Sequence, residues 1–372
     1  MAESSPDIAV IGAGVIGCAV AWELARRGAR VQLIDCRDVA LGATQASAGV
    51  LAPYIEGHDK APLLELSIRG LALYDGFIDR LRRDGHGPAH YYRTGTLETA
   101  ADGDGAAALE RHAGLLASRG VDAEFLDARA VREAEPHLAP ETAGGLLVRT
   151  HGFVNAPELT FALWEAAAER GVHTRRSCQV TRIDRDGSGV RLDTGEGVVK
   201  ARQVVLAAGS WSGRIAAGEG PAVPVRPVRG QLLYLEWKGA PLRRVVWGPS
   251  CYLVPWTDGS LLVGATVEDA GFDERATASG VHDLLGAACA LVPQGWQAGF
   301  AGVRVGLRPA TADELPIVGR SARLEGLVYA TGHYRNGILL APLTATLVAD
   351  LVLEGRTAPE LEQMNPARFG AL

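Results

Sequence analysis

A chain of 372 residues that is 47% hydrophobic and 22% charged has the composition of a globular protein with a sizeable interior, and its length suggests two domains. Its 37 basic and 43 acidic residues leave a net charge of -6, which offers no broad attraction to nucleic acid or anionic lipid. Only Lys60, Lys200 and Lys238 are lysines, so anion recognition falls to arginine and backbone amides, and the five scattered cysteines (Cys18, Cys36, Cys178, Cys251, Cys289) match neither a disulfide framework nor a zinc site.

In chain order, "MAESSPD" lacks the basic n-region of a signal or transit peptide, so a cytoplasmic location is the expectation. "DIAVIGAG" reads as a strand that breaks at glycine, and "VIGCAVAWELARRG" as a helix stopping at Gly28 with Arg26 and Arg27 in its last turn. "ARVQLID" alternates as a strand and ends in Asp35, so residues 7–35 predict a βαβ unit and a parallel sheet. The apolar stretch from Ile8 to Trp22 is broken by three glycines and too short for a membrane span, and no transmembrane segment is expected.

An amphipathic helix is predicted over Leu64 to Arg83 and another over "AAALERHAGLLASRG", with "YYRTGTLETA" between them as a strand or hairpin arm. Asn155 as N-cap, Pro157 in the first turn and Gly171 as stop frame a further helix. A strand-rich segment follows: "CQVTRIDRDGSGVRLDTG", "QVVLAAG", "GQLLYLEW" and "CYLVPWTDGSLLVGATV". Asp258-Gly259 marks a hairpin in the last of these, and the expectation is a mixed antiparallel sheet. Helical character returns at "VHDLLGAACALV" and from Ile338 to Leu353. There is no internal repeat or low-complexity tract.

Gly12, Gly14 and Gly17 have the G-x-G-x-x-G spacing, which alone is weak. Here it follows a predicted strand and opens a helix, and an acid, Asp35, stands 23 positions after Gly12 where it can accept from a ribose hydroxyl. Pyrophosphate would sit at the positive end of the helix. The motif does not choose between NAD and FAD. Two further stretches bring backbone close to a large flat ligand: the small-residue loop Gly42 to Val50, with the Thr44 and Ser47 hydroxyls, and the strand end Ala207-Ala208-Gly209. Near the C-terminus, His333-Tyr334-Arg335-Asn336 stands directly before Gly337 and an apolar helix, a costly place for an arginine unless an anion meets it.

Together "GAGVIG", "SAGVLAP", "CYLVP", "VGAT", "GLRPATADELPIVG" and "GHYRNGILLAP" resemble the glycine oxidase and D-amino acid oxidase family of FAD-dependent oxidoreductases over nearly the whole chain. The last two stretches are most like glycine oxidases of the thiamine-thiazole pathway. The resemblance implies an α/β fold, α+β overall, with a Rossmann-like FAD-binding domain (residues 1–82, 142–218 and 302–372) and an inserted substrate domain on a mixed, largely antiparallel sheet (83–141 and 219–301).

The same resemblance implies that Arg308 clamps a substrate carboxylate, that Tyr252 donates its hydroxyl and that Arg335 adds a further group. It assigns FAD contacts to Gly12, Gly14, Val15, Ile16, Gly17, Asp35, Cys36, Ala43, Thr44, Ala48, Gly49, Val50, Val180, Gly209, His333, Tyr334, Asn336, Gly337, Ile338 and Leu339. The N-terminus of the final helix would stabilise negative charge on the flavin. His333 is not needed as a base, because hydride transfer from a neutral amine depends on positioning.

Gly306 stands where members with covalent flavin carry cysteine, so FAD held without a covalent bond is the expectation. Val267 replaces a methionine of the close glycine oxidases, and Ser250 a histidine, which alters the pocket wall. The implied partners are a small amino acid and oxygen, with a homo-oligomer, often a tetramer. A flavin dehydrogenase passing electrons to a quinone or carrier is the alternative on the same fold, and an NAD-binding or non-catalytic Rossmann module is the alternative from another class.

Overall fold

The computed structural model describes residues 6–56, 61–88, 90–256 and 258–372; residues 1–5, Lys60 and Thr257 of the predicted hairpin lie outside them. A six-stranded sheet runs in the order Ile317–Arg320, Leu327–Thr331, Gln203–Leu206, Ile8–Ile11, Val31–Ile34, His173–Arg175. All its pairs are parallel except the edge pair Ile317–Arg320 with Leu327–Thr331. The strand Ile8–Ile11 has no polar residue because it is covered on both faces. Ile8 and Val10 point into a helical core, while Ala9 and Ile11 point into a second core shared with a four-stranded sheet that includes Ile183, Val190 and Leu192.

The predicted βαβ unit forms, with its helix at Val15–Arg26 and Gly28 at φ +90°. The helix Ala156–Glu169 begins as expected, Glu158 N donating to the Asn155 side chain at 3.2 Å. The predicted helix over Leu64 to Arg83 spans Ala61–Arg83. Between it and the first helix lies the core helix Gly337–Ala349, continued by a wider turn at Asp350–Glu354. The run Gly337–Glu354, with mean hydropathy 1.7, is long and apolar enough to cross a membrane, but 72% of it is buried inside this fold. Its apolarity on every side is that of a helix packed all round.

Pro342 sits inside this helix and cannot donate to the carbonyl of Ile338. The fully buried Tyr74 does so instead, its Oη lying 2.9 Å from Ile338 O. The two helices meet at Gly70, where an added Cβ would lie 2.6 Å from Leu339 O.

An eight-stranded sheet forms the second layer, in the order Gly299–Ala310, Arg226–Glu236, Ser260–Gly264, Tyr252–Pro255, Val245–Trp247, Thr96–Ala100, Gly144–Val148, Ala123–Asp127. Every pair is antiparallel except Val245–Trp247 with Thr96–Ala100. Alternation divides its residues between an outer face, where Leu233, Val246, Leu253 and Val263 pack with the helix Ala278–Leu291, and an inner face, where Leu232, Val254 and Leu262 pack on Ala48 and Phe153.

Two expectations are corrected. "QVVLAAG" does not join the antiparallel sheet; after Gln203 its strand is apolar and buried on both faces beside Ile8–Ile11. "YYRTGTLETA" is two strands in two sheets, because the chain turns at Gly95, φ +80°: Tyr91–Tyr92 pairs with Gly152–Val154, and Thr96–Ala100 joins the eight-stranded sheet. Two strands that fall within the segments 142–218 and 302–372, Gly144–Val148 and most of Gly299–Ala310, are hydrogen-bonded into the eight-stranded sheet.

Candidate active site

A cavity of about 390 Å³ lies between the C-terminal ends of the parallel strands, at Ile11, Ile34 and Ala330, and the inner face of the eight-stranded sheet. Ligands of open α/β sheets bind at this end of the strands. After Ile11 the chain turns at Gly12, φ +110°, where any Cβ would strike the carbonyl of Ala207. Gly17 lets the helix pack directly on the Gly12 carbonyl and does not line the cavity.

No side chain caps the helix at Gly14. Thr44 Oγ1 accepts from Val15 N at 3.1 Å, so this hydroxyl binds the helix end as well as lining the cavity. Asp35 accepts from Ala13 N at 2.6 Å and from Arg37 N at 2.8 Å. Burial raises its carboxyl against the pull of these two bonds. Cys36, Cys178 and Val180 line the cavity on this side.

The opposite wall is the inner face of the sheet, where three glycines make room for functional groups. Tyr252 is paired across the strands with Gly264, and a Cβ there would collide with its ring, which also lies 4.7 Å from the Trp247 ring centroid. The Arg308 guanidinium lies over Gly230 in the same way, its Nη1 donating to Thr266 O at 2.9 Å and Arg229 O at 3.4 Å. A Cβ at Gly306 would stand 2.8 Å from the Ala46 Cβ and 3.2 Å from the Ala43 Cα, so the loop Gly42–Ala46 rests on bare backbone.

The third wall is the loop before the core helix. Tyr334 adopts φ +46°, held by its N–H on Pro309 O at 2.9 Å, and the Arg335 guanidinium lies 5.3 Å from the Tyr334 ring centroid. His333 is buried, with Nε2 3.0 Å from Thr344 Oγ1, and burial pushes it down to about 3, so it is a neutral imidazole. Asn336 precedes the helix without a side-chain cap, which leaves the first N–H groups of Gly337–Ala349 without an intrahelical partner beside the cavity.

Of the residues singled out in the sequence, Tyr252, Arg308, Arg335, Gly12, Gly14, Val15, Ile16, Asp35, Cys36, Ala43, Thr44, Ala48, Val180, Gly209, His333, Tyr334, Gly337 and Ile338 all line this cavity. Gly49, Val50, Asn336 and Leu339 line a smaller one of about 40 Å³ next to it, beneath Trp247 and Tyr252. Sequence reasoning missed Arg37, Trp211 and Arg214. Arg37 pairs with Glu274 at 2.9 and 2.7 Å and stacks on Trp211 at 4.3 Å, and Arg214 stacks on Phe272 at 3.5 Å, so both tie the loop after Gly264 to the cavity wall beside the parallel sheet. With its ion-pair partner 237 positions away, Arg37 carries no local signal. Among the described residues no cluster of acids, histidines and cysteines is arranged to hold a metal ion.

Residues 7–351 match the sequence model of the family described as FAD dependent oxidoreductase. The chain belongs to this family. It is 37% identical to glycine oxidase of Geobacillus kaustophilus over 364 residues, which cover 97% of each chain. It is 36% identical over 367 residues to the bifunctional protein ThiO/ThiG of Nostoc sp., covering 97% of this chain and 55% of that protein. The crystal structure of glycine oxidase from Geobacillus kaustophilus superposes with a TM-score of 0.93 at 37% identity, covering 98% of this chain and 99% of that one.

As in the rest of this family of FAD-dependent oxidoreductases, FAD is the cofactor. The cavity fits it: two helix N-termini, at Val15 and Gly337, face one space with the Asp35 carboxylate, and Gly12, Gly14, Gly42 and Gly209 line it without a side chain.

Proposed function

We propose that the protein oxidises the Cα–N bond of a small amino acid, such as glycine, sarcosine or a short D-amino acid, to the imine. FAD would accept the hydride and pass the electrons to oxygen, yielding hydrogen peroxide and an imino acid, which water then hydrolyses to an α-keto acid and ammonia or an amine. The observation that carries this reading is that Tyr252, Arg308 and Arg335 line the same cavity as the dinucleotide loop. Arg308 has Nη1 committed to two carbonyls, so Nε and Nη2 would meet a carboxylate side by side. Tyr252, pinned on Gly264, would add a hydroxyl donor. These groups would fix Cα against the cofactor, which is where positioning contributes most to a hydride transfer.

On the same reading Asp35 binds the ribose, the Val15 helix end meets pyrophosphate, and the Gly337 helix end faces the electron-accepting ring. FAD would be held without a covalent bond, since Gly306 has no side chain and the cavity-lining cysteines, Cys36 and Cys178, flank Asp35. The segments of the six-stranded sheet would form the FAD-binding domain, with Gly144–Val148 and Gly299–Ala310 counted in the substrate domain. Similarity to ThiO/ThiG supports use of the product in thiamine-thiazole synthesis.

The test is an anaerobic titration of the purified holoprotein with glycine, sarcosine and D- and L-alanine, followed by air. Bleaching of the visible band by one of them, with recovery and peroxide on aeration, is expected. An Arg308→Ala variant that keeps FAD should lose turnover; unchanged kinetics would sink the carboxylate role. Recovery with a soluble quinone but not with air would favour a dehydrogenase.

A further inference from the structure

We propose that Glu268 and Arg229, on the face of the eight-stranded sheet away from the cavity, are positioning residues for Arg308. The proposal rests on the reading that Arg308 holds the substrate carboxylate. Gly230 lies beneath the Arg308 guanidinium on the inner face, so strand alternation turns Arg229 and Gln231 outward. The guanidinium reaches the cavity with Nη1 bonded to two main-chain carbonyls, those of Thr266 and Arg229. Both carbonyls belong to residues that Glu268 clamps.

The clamp has a main-chain and a side-chain half. Arg229 N donates to Glu268 O and Glu268 N to Arg229 O, each at 2.9 Å. Glu268 Oε2 accepts from Arg229 Nε at 3.1 Å and Nη2 at 2.5 Å. Its Oε1 accepts from Thr266 Oγ1 at 2.5 Å and Gln231 Nε2 at 2.7 Å, while Gln231 N donates to Thr266 Oγ1 at 2.9 Å. Arg229 is 8% exposed at its side chain and also meets Asp273 Oδ2 at 3.2 Å.

An arginine side chain has several rotatable bonds, and its fork discriminates a carboxylate only if its plane is set before the ligand arrives. Thr266 O and Arg229 O set that plane, and Glu268 holds the two carbonyls. Removing the Glu268 charge leaves the nearly buried Arg229 paired with Asp273 but without the carboxylate that joins it to Thr266, and the strain falls on the two residues that support Arg308.

Two variants test this in the FAD-loaded protein. Glu268→Gln removes the charge, and Thr266→Val removes the hydroxyl link while keeping the Arg229–Glu268 pair and the Thr266 carbonyl. The probe is acetate, the carboxylate of glycine without its amine, titrated against the visible band of bound FAD, alongside KM and kcat for glycine. Acetate Kd and glycine KM are expected to rise together, about tenfold in Glu268→Gln as for a lost charge-assisted hydrogen bond, and less in Thr266→Val. The kcat at saturation should change by less than about threefold.

A merely structural role would lower thermal stability without this split between KM and kcat. Unchanged acetate binding in either folded, FAD-loaded variant overturns the proposal, and Thr266→Val decides alone if Glu268→Gln does not fold. Arg308→Ala is the control: if it too leaves acetate binding unchanged, the carboxylate role of Arg308 fails first. If it weakens binding and the other two do not, only the positioning role fails.

Discussion

The hydrogen bond from Tyr74 to Ile338 should hold the first turn of the core helix, and with it one wall of the site. Pro342 has no N–H and its ring crowds the carbonyl four residues back, so Ile338 O has lost its helical donor. Tyr74 Oη replaces it at 2.9 Å. Tyr74 is 0% and Ile338 5% exposed, so water does not reach the carbonyl once the hydroxyl is gone. Tyr74→Phe therefore leaves a buried acceptor unsatisfied, at a cost of about 1–3 kcal/mol. Burial holds the Tyr74 phenol well above its ordinary pKa, so ionisation does not supply an alternative route to the same defect.

Because the chain has more than one core, a local measurement is preferable to a global unfolding midpoint. Amide hydrogen exchange over Gly337–Ala349 should accelerate in Tyr74→Phe by roughly 5–30-fold, the equivalent of about 1–2 kcal/mol in the opening equilibrium. Pro342→Ala supplies the missing N–H. In that background Tyr74→Phe should cost far less, giving a coupling of about 1 kcal/mol or more in the double-mutant cycle. Equal acceleration in both backgrounds, or none in Tyr74→Phe, would refute the account of how Ile338 O is satisfied.

Gly306→Ala should weaken FAD binding, since the new Cβ meets Ala46 at 2.8 Å and overpacking of this kind costs about 1–3 kcal/mol; a dialysis or fluorescence measurement of FAD dissociation reads it. Acid precipitation should release all of the yellow colour from the polypeptide. His333, pushed from 6.5 to about 3 by burial, takes up its proton in the unfolded chain before the folded one. Its contribution is full above pH about 6.5 and is lost as pH falls toward 3, so His333→Gln should remove about 1.4 kcal/mol per pH unit from the acid slope of stability in that window. Arg37→Ala should cost less than about 1 kcal/mol of stability, its pair with Glu274 being 31% and 29% exposed, while altering Trp211 emission and speeding FAD release.

What was legible in the sequence is what depends on near neighbours. Gly12, the helix after it and Asp35 fall within one βαβ unit, and their spacing states their geometry. The Asn155 cap is a three-residue relation and was equally readable. "QVVLAAG" does not state its place in the fold, because a short β-branched run does not say whether one face or two will be covered; its parallel neighbours, Ile8–Ile11 and Leu327–Thr331, lie far off in the chain. The stretch Gly337–Glu354 poses the same ambiguity in helical form, since apolarity all round suits a membrane or a core, and only the helices against it decide.

Gly230, Gly264 and Gly306 of the inner face are plain in the sequence, but their purpose needs the sheet register. Gly230 stands opposite Gly306, and Gly264 opposite Tyr252. Each leaves a depression into which something else is laid: Arg308 on Gly230, the Tyr252 ring on Gly264, and the loop Gly42–Ala46 on Gly306. A functional side chain lying flat on backbone has already lost the rotamers it would otherwise lose on binding, so part of the ordering cost is met by the fold. A methyl group at any of the three would displace a functional group before it disturbed the outer core of Leu233, Leu253 and Val263. Substitutions there should therefore separate ligand binding from stability, whereas substitutions at those outward leucines and valine should lower both together.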